Sequence, residues 1–275
     1  MHDLPVQKDF EVETALRHQH AVEQVIALMR EPEGAALNLE AMAEIARLSP
    51  YHFARVFRRT TGIPPGEFST ALRMERAKRL LLTTDLSASE VCFEVGYNGL
   101  GTFTARFARL VGLPPGRLRR LPERLHAAFD RIEAGGEDPP PVPPIPDGVA
   151  GVAFRVRGRD LGGSRIFAGL FPVAIPQGRP AQGIVLSAPG SHRLSAVLPD
   201  GIYHLMAAAV PRSGDPLKLL LPAEAMRVGR SRYPVVLRSG RSEGCADVTL
   251  RQMRPTDPPV LVALPALLLE RLGAG

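Results

Sequence analysis

This chain of 275 residues has two cysteines, Cys92 and Cys245. They cannot build a disulfide framework or a Cys-x-x-Cys site. His-Glu-x-x-His zinc helices and Walker-type loops are missing. Gly99-Leu100-Gly101 is too short for a dinucleotide fingerprint. His18 and His20, two residues apart, do not share a helical face and so do not read as a metal pair. With no nucleophile–base–orienter set and no ligand cluster at workable spacing, an enzyme is not expected, and neither is a cofactor or metal. There is also no run of eighteen apolar residues and no basic-then-apolar leader. That predicts a soluble, cytoplasmic protein with no membrane partner.

What is present is an internal repeat. SPYHFARVFRRTTGIPPGEF at 49–68 returns fifty residues later as GLGTFTARFARLVGLPPGRL at 99–118. Phe53 falls on Phe103, Phe57 on Phe107, Arg59 on Arg109, and Gly62-Ile63-Pro64-Pro65-Gly66 on Gly112-Leu113-Pro114-Pro115-Gly116. At the same offset Glu40 falls on Glu90, Glu44 on Glu94 and Met42 on Cys92, which places Cys92 in a core. A repeat of this detail marks a duplicated supersecondary unit. Phe53, Val56 and Phe57 form one helical stripe, while Tyr51, Arg55 and Arg58 face the other way. Ser49 is placed to cap that helix, Pro50 suits its first turn, and Gly62 with Pro64-Pro65 ends it. A short helix over 40–47, with small Ala43 and Ala46, precedes it. Two helices joined by a tight turn, the second apolar inside and basic outside, describe a helix-turn-helix. The alternative is an ordinary αα-hairpin with a solvated charged face, which the duplication disfavours.

Charge supports the same reading. Residues 41–124 hold 14 basic and 7 acidic side chains, whereas 1–40 hold 3 basic and 8 acidic. A basic surface attracts phosphate backbone without reading sequence. Residues 14–30 predict an amphipathic helix burying Ala21, Val25, Ile26, Leu28 and Met29. Residues 68–82 predict the long helix joining the two units, and 125–134 a last helix.

The segment from about Ala15 to Arg120 resembles the DNA-binding domain of the AraC/XylS family of transcription regulators. Leu48-Ser49-Pro50-Tyr51-His52-Phe53, Arg76-Ala77-Lys78-Arg79-Leu80-Leu81-Leu82, Val95-Gly96-Tyr97 and Phe103-Thr104-Ala105-Arg106-Phe107 carry the resemblance. It implies two recognition helices in successive major grooves, ~34 Å apart. The partners it implies are double-stranded DNA, RNA polymerase, and a small-molecule effector or protein partner at the companion domain. On the first helix it points to Tyr51, Ala54 and Arg55 at bases, with His52 at the flank and Arg58 and Arg59 on phosphates. Arg55 either bonds guanine O6 and N7 or forms an intramolecular salt bridge; Tyr51 either touches DNA or is buried. On the second helix the outward positions are Gly101, Ala105 and Ala108, flanked by Thr102, Thr104, Arg106 and Arg109. Ala105 stands where the family often carries a long polar side chain. The expectation is that the first helix reads bases and the second anchors on phosphates and DNA shape.

Beyond a Pro/Gly-rich spacer at 135–148, expected to be semi-rigid, the pattern turns to short alternating strands at 151–157, 165–171, 183–186, 192–197, 201–210, 234–237 and 246–251. The predicted architecture is an all-α double helix-turn-helix domain (1–134) followed by an antiparallel β-sandwich (149–275) of about seven strands with a regulatory or oligomerising role. Pro199-Asp200-Gly201-Ile202-Tyr203-His204-Leu205 resembles a recurrent strand of prealbumin-like sandwiches. A helical insertion is expected at 216–226, and at 260–272 an apolar helix or strand broken by Pro265. Rival readings are a non-specific architectural DNA binder and a protein-interaction module recruited to DNA.

Overall fold

The computed structural model describes residues 4–31, 37–133, 151–195, 198–221, 225–239, 241–242 and 245–271; the expected spacer lies outside them. The helices come first: α1 (Leu4–Arg30), α2 (Leu39–Ile45), α3 (Pro50–Thr61), α4 (Pro65–Thr83), α5 (Ala88–Glu94), α6 (Leu100–Val111), α7 (Pro115–Arg119) and α8 (Leu121–Glu133). Strands β1 (Gly151–Gly158), β2 (Ser164–Phe171), β3 (Gln182–Leu186), β4 (Gly190–Ser195) and β5 (Gly201–Pro211) follow. A short α9 (Pro216–Leu220) leads into β6 (Arg227–Arg230), β7 (Val235–Arg238), β8 (Arg241–Ser242) and β9 (Cys245–Gln252), and α10 (Leu264–Arg271) ends the described chain.

The helix ends obey their local chemistry. Ser49 Oγ accepts from the His52 amide at 3.4 Å, and Gly62 (φ 87°) closes α3 in the left-handed region that a Cβ disfavours. Gly112 (φ 88°) does the same for α6. Ser87 and Glu90 form a reciprocal capping box on α5, and the Ser87 hydrogen bonds hold the Glu90 carboxyl below its usual range. Inside, Phe53, Phe57, Phe103 and Phe107 are fully buried. The Phe57 and Phe68 rings meet edge-on at 5.5 Å, a favoured aromatic geometry. Cys92 is buried, and burial pushes its thiol up, away from thiolate reactivity.

The repeat is not uniform at fifty residues. In the first unit Ala46, Arg47 and Leu48 donate to Met42, Glu44 and Ala43; in the second Val95, Gly96 and Tyr97 donate to Val91, Phe93 and Cys92. These bonds, and the left-handed turn residues Arg47 and Gly96, are related by forty-nine. Cys92 therefore matches Ala43, not Met42, and the turn before α6 is one residue longer than the turn before α3. The α1 expectation also needs correcting. Val22, Val25, Ile26 and Met29 form the buried stripe, and Leu28, about 100° off it, is 44% exposed.

The strands form one nine-stranded sheet whose main path runs β3-β2-β5-β6-β9-β1-β4, with β7 and β8 hanging from β5. Its inner face gathers Phe154, Ile166, Leu170, Leu205, Leu237 and Val248 into one cluster, so the sheet curls round a common core. The pairing is antiparallel except between β1 and β9, which run parallel, Val156 opposite Val248. The wholly antiparallel seven-strand expectation missed this pair, and it missed β6 and β8 because four- and two-residue strands carry almost no alternation. Tyr203 is buried, and its hydroxyl donates to the Pro199 carbonyl at 3.0 Å, pinning the entry to β5. Pro265 lies in the first turn of α10 and starts that helix instead of breaking it.

The outer face of β2 and β5 points into the helical half. Phe167, Phe171, Met206, Ala208 and Val210 share one hydrophobic cluster with the cores of α1 to α8. Gly178 and Ala263 donate backbone N–H groups to Leu110 and Val111, at 2.5 and 3.2 Å. Arg230 lies against Gly62 at the end of α3. From α4, the buried Lys78 ammonium reaches the Val260 and Leu261 carbonyls at 3.4 and 3.3 Å.

Two outcomes follow. Gly178 has φ 68°, and a Cβ there would lie 2.8 Å from the Arg109 carbonyl oxygen. Gly178→Ala should therefore lower stability by about 2 kcal/mol, measured by denaturant unfolding. Burial pushes Lys78 down to about 8, Glu75 opposing the shift and Arg79 adding to it. Its folded pKa is thus depressed, so between about pH 8 and 10.5 the unfolded chain keeps a proton that the folded chain has released. Stability should rise with pH through that window by up to about 3 kcal/mol, and Lys78→Met should flatten the rise.

Candidate nucleic-acid interface

On α3 the buried stripe of Phe53, Val56, Phe57 and Thr61 turns inward, which leaves Tyr51, Arg55, Arg58 and Arg59 exposed. Tyr51 is 80% exposed, so the alternative of burial within the protein does not hold. Arg55 has no hydrogen bond or ion pair among the described residues, so neither does the salt-bridge alternative. An unpaired guanidinium on an outward helical face can bond an acceptor pair on a base edge or a phosphate. Ala54 is half-buried beside it.

His52 is not on this face. It is half-buried, and its ring meets His18 of α1 edge-on at 5.2 Å. Burial first, then His52, Arg59 and Arg17, hold His18 below the usual imidazole range, and its ring packs against the flank of α3.

The α6 face has the same frame and different chemistry. Phe103, Phe107, Leu110 and Val111 point inward; Gly101, Thr102, Ala105 and Arg109 are exposed, and Thr104 and Ala108 are half-buried. Between α3 and α6 the fifty-residue offset holds, cap glycine to cap glycine, so Gly101 occupies the place of Tyr51 and Ala105 that of Arg55. Arg106 departs from its expected place. It is half-buried and donates to the Tyr97 hydroxyl at 3.5 Å, while Arg73 of α4 stacks over the same ring at 5.0 Å. Arg106 therefore ties α6 to the turn before it. Arg76 and Glu94, 2.6 Å apart, add an ion pair between α4 and α5. Arg59 and Arg109 are exposed, but both sit in last turns where the sheet's loops approach: Arg59 borders a cavity under the sheet, and the Arg109 backbone touches Gly178.

The approach of the sheet to both helix ends was invisible in the sequence. Arg230, Gly178 and the 260–263 segment lie far from the repeat in the chain, and no spacing rule links them to it. Among the described residues no three His, Cys, Asp or Glu side chains converge as a metal site, and no helix is long and apolar enough to cross a membrane.

A family model described as a helix-turn-helix domain matches residues 42–121. An uncharacterized helix-turn-helix transcriptional regulator of Haemophilus influenzae is 30% identical over 106 residues, 38% of this chain and 35% of that protein. The MmsAB operon regulatory protein of Pseudomonas aeruginosa is 35% identical over 94 residues, 34% of this chain and 31% of its own. Among solved structures, the C-terminal domain of AraT, a response regulator from Geobacillus stearothermophilus, is 30% identical with a TM-score of 0.33, covering 38% of this chain and 84% of that one. The match thus spans about a third of the length of these curated relatives and stops before the β sheet. Residues 42–121 accordingly carry a helix-turn-helix DNA-binding domain, followed by a separate C-terminal β-rich domain.

Proposed function

We propose that this protein is a sequence-specific transcription regulator whose two recognition helices have divided the work. The observation that carries the reading is the contrast between matched positions. Tyr51, Arg55 and Arg58 on α3 offer a phenol and two guanidiniums, where α6 offers Gly101, Ala105 and Ala108. At these matched positions only α3 can form bidentate side-chain hydrogen bonds to base edges, each worth ~1–3 kcal/mol of discrimination. The small residues of α6 allow its backbone to approach closely. Thr102, Thr104 and Arg109 there reach for phosphate, so this helix fixes register and follows groove shape. The half-buried Arg106, bound to Tyr97, serves as a positioning group in this reading.

In this assignment residues 1–134 bind DNA, 135–148 are the spacer, and 149–275 form the regulatory or oligomerising sandwich, with RNA polymerase the partner at the promoter. A second reading, a non-specific architectural binder, draws on the same small residues of α6. The two differ in specificity ratio, near unity for an architectural protein and ~10³–10⁷ for a regulator.

Binding-site selection from random duplexes with the full chain is expected to return one sharply specified block and a weaker one about a duplex turn away, ~34 Å. Arg55→Ala should relax one or two base pairs of the sharp block, at a cost of about 1–3 kcal/mol on the preferred site. Arg109→Ala should instead weaken all sequences alike and reduce the salt slope of binding by about one. The opposite pattern for these two arginines would overturn the division of work.

A further inference from the structure

The outer sheet face hollows beside the small Ala208 of β5, leaving a cavity of about 240 Å³ beneath the end of α3; on the β2 side Pro180 covers Gly169 and forms part of its wall. Across the ladder Gly169 pairs with Met206, which pairs with Arg230, and Phe167 pairs with Ala208, which pairs with Val228. The floor is therefore apolar, with one guanidinium at its edge. Arg59 and the last turn of α3 close the other side.

The charges of this cavity do not balance. Asp257, the one carboxylate on its wall, is already consumed: Arg251 holds both its oxygens at 2.6 and 2.7 Å, and the Arg254 amide donates to it at 2.7 Å. Arg230 has only the Ala174 carbonyl, at 3.1 Å. Neither Arg230 nor Arg59 has a carboxylate partner among the described residues. His204, held below the usual imidazole range by burial and then by Arg230, adds no negative charge. An apolar hollow with two unneutralised guanidiniums at its rim is complementary to a molecule with an apolar body and one anionic end. A dry cavity of ~150 Å³ takes benzene, so this larger one has room for a ring and a short chain.

We propose that this interdomain cavity binds a small aromatic carboxylate, its ring over Ala208 and beside Pro180 and its carboxylate between Arg230 and Arg59. Such a ligand touches the sheet and the end of α3 at once. Its binding stabilises their contact by mass action, independently of whether α3 reads DNA.

The test uses the full chain without DNA, with 3-phenylpropionate as probe and 3-phenylpropan-1-ol and 3-phenylpropylamine as controls, by calorimetry and thermal melting. The carboxylate should bind saturably and raise Tm. The alcohol should bind about tenfold more weakly, having lost a charge-assisted pair, and the amine not at all. Arg230→Gln should cost the carboxylate about tenfold and leave the alcohol unchanged. Ala208→Leu, which fills the hollow with apolar atoms and adds no charge, should abolish binding of both while keeping the circular dichroism of the parent. The proposal is overturned by no saturable carboxylate binding, by equal binding of all three probes, or by unchanged binding in a folded Ala208→Leu chain. DNA affinity enters none of these outcomes.

Discussion

The last turn of an α-helix leaves carbonyl oxygens without partners, and the joint between the halves of this protein is built on that deficit. At α6 the Leu110 and Val111 carbonyls accept from Gly178 and Ala263, two backbone donors of the β-rich half. At α3 the end closed by Gly62 faces the guanidinium of Arg230, a cation where the helix dipole is negative. Between them Lys78 turns the same logic round, bringing donors from the helical half to the Val260 and Leu261 carbonyls. Orphan acceptors at the joint are thus answered across it, and the shared apolar cluster around Phe167, Met206 and Ala208 keeps water from competing.

Lys78 shows that such a joint has a cost. An ammonium without a carboxylate bonded to it is held between two carbonyls in a nearly dry site, and desolvation dominates its titration. Breaking these contacts would leave a buried cation unsatisfied, whereas an apolar side chain of similar volume need not be worse. What the lysine supplies is direction, since its donors are met by one placement of the 260–261 backbone.

Much of the helical half was legible because each element announces itself locally. Ser49, Pro50, Gly62 and the Phe53-Phe57 pair define α3 without reference to anything distant, and their copies define α6. The shift from fifty to forty-nine residues was not legible, because Glu40 over Glu90 and Glu44 over Glu94 make a plausible alignment, and only the turn hydrogen bonds show where the extra residue enters. The parallel pairing of β1 with β9 is likewise non-local, as alternation within a strand says which face is buried and nothing about the neighbour. That Tyr51 and Arg55 face outward was legible from the periodicity of one helix. The contact of Arg106 with Tyr97 was not legible, because Tyr97 and the stacked Arg73 meet only after folding. The hollow beside Ala208 needed the sheet register before the residues of β2, β5 and β6 that surround it could be brought together.

Each of α3 and α6 is about three turns long, and its two ends have different neighbours. The first two turns face outward with Tyr51 and Arg55, or Gly101 and Ala105; the last turn meets the sheet through Gly62 or Gly112. Altering the outward turns therefore leaves the joint untouched. On the proposed reading, point changes in α3 would alter which sequence is read while leaving the interdomain contacts intact. Substitutions in the final turns would have to be matched by compensating changes more than sixty residues away.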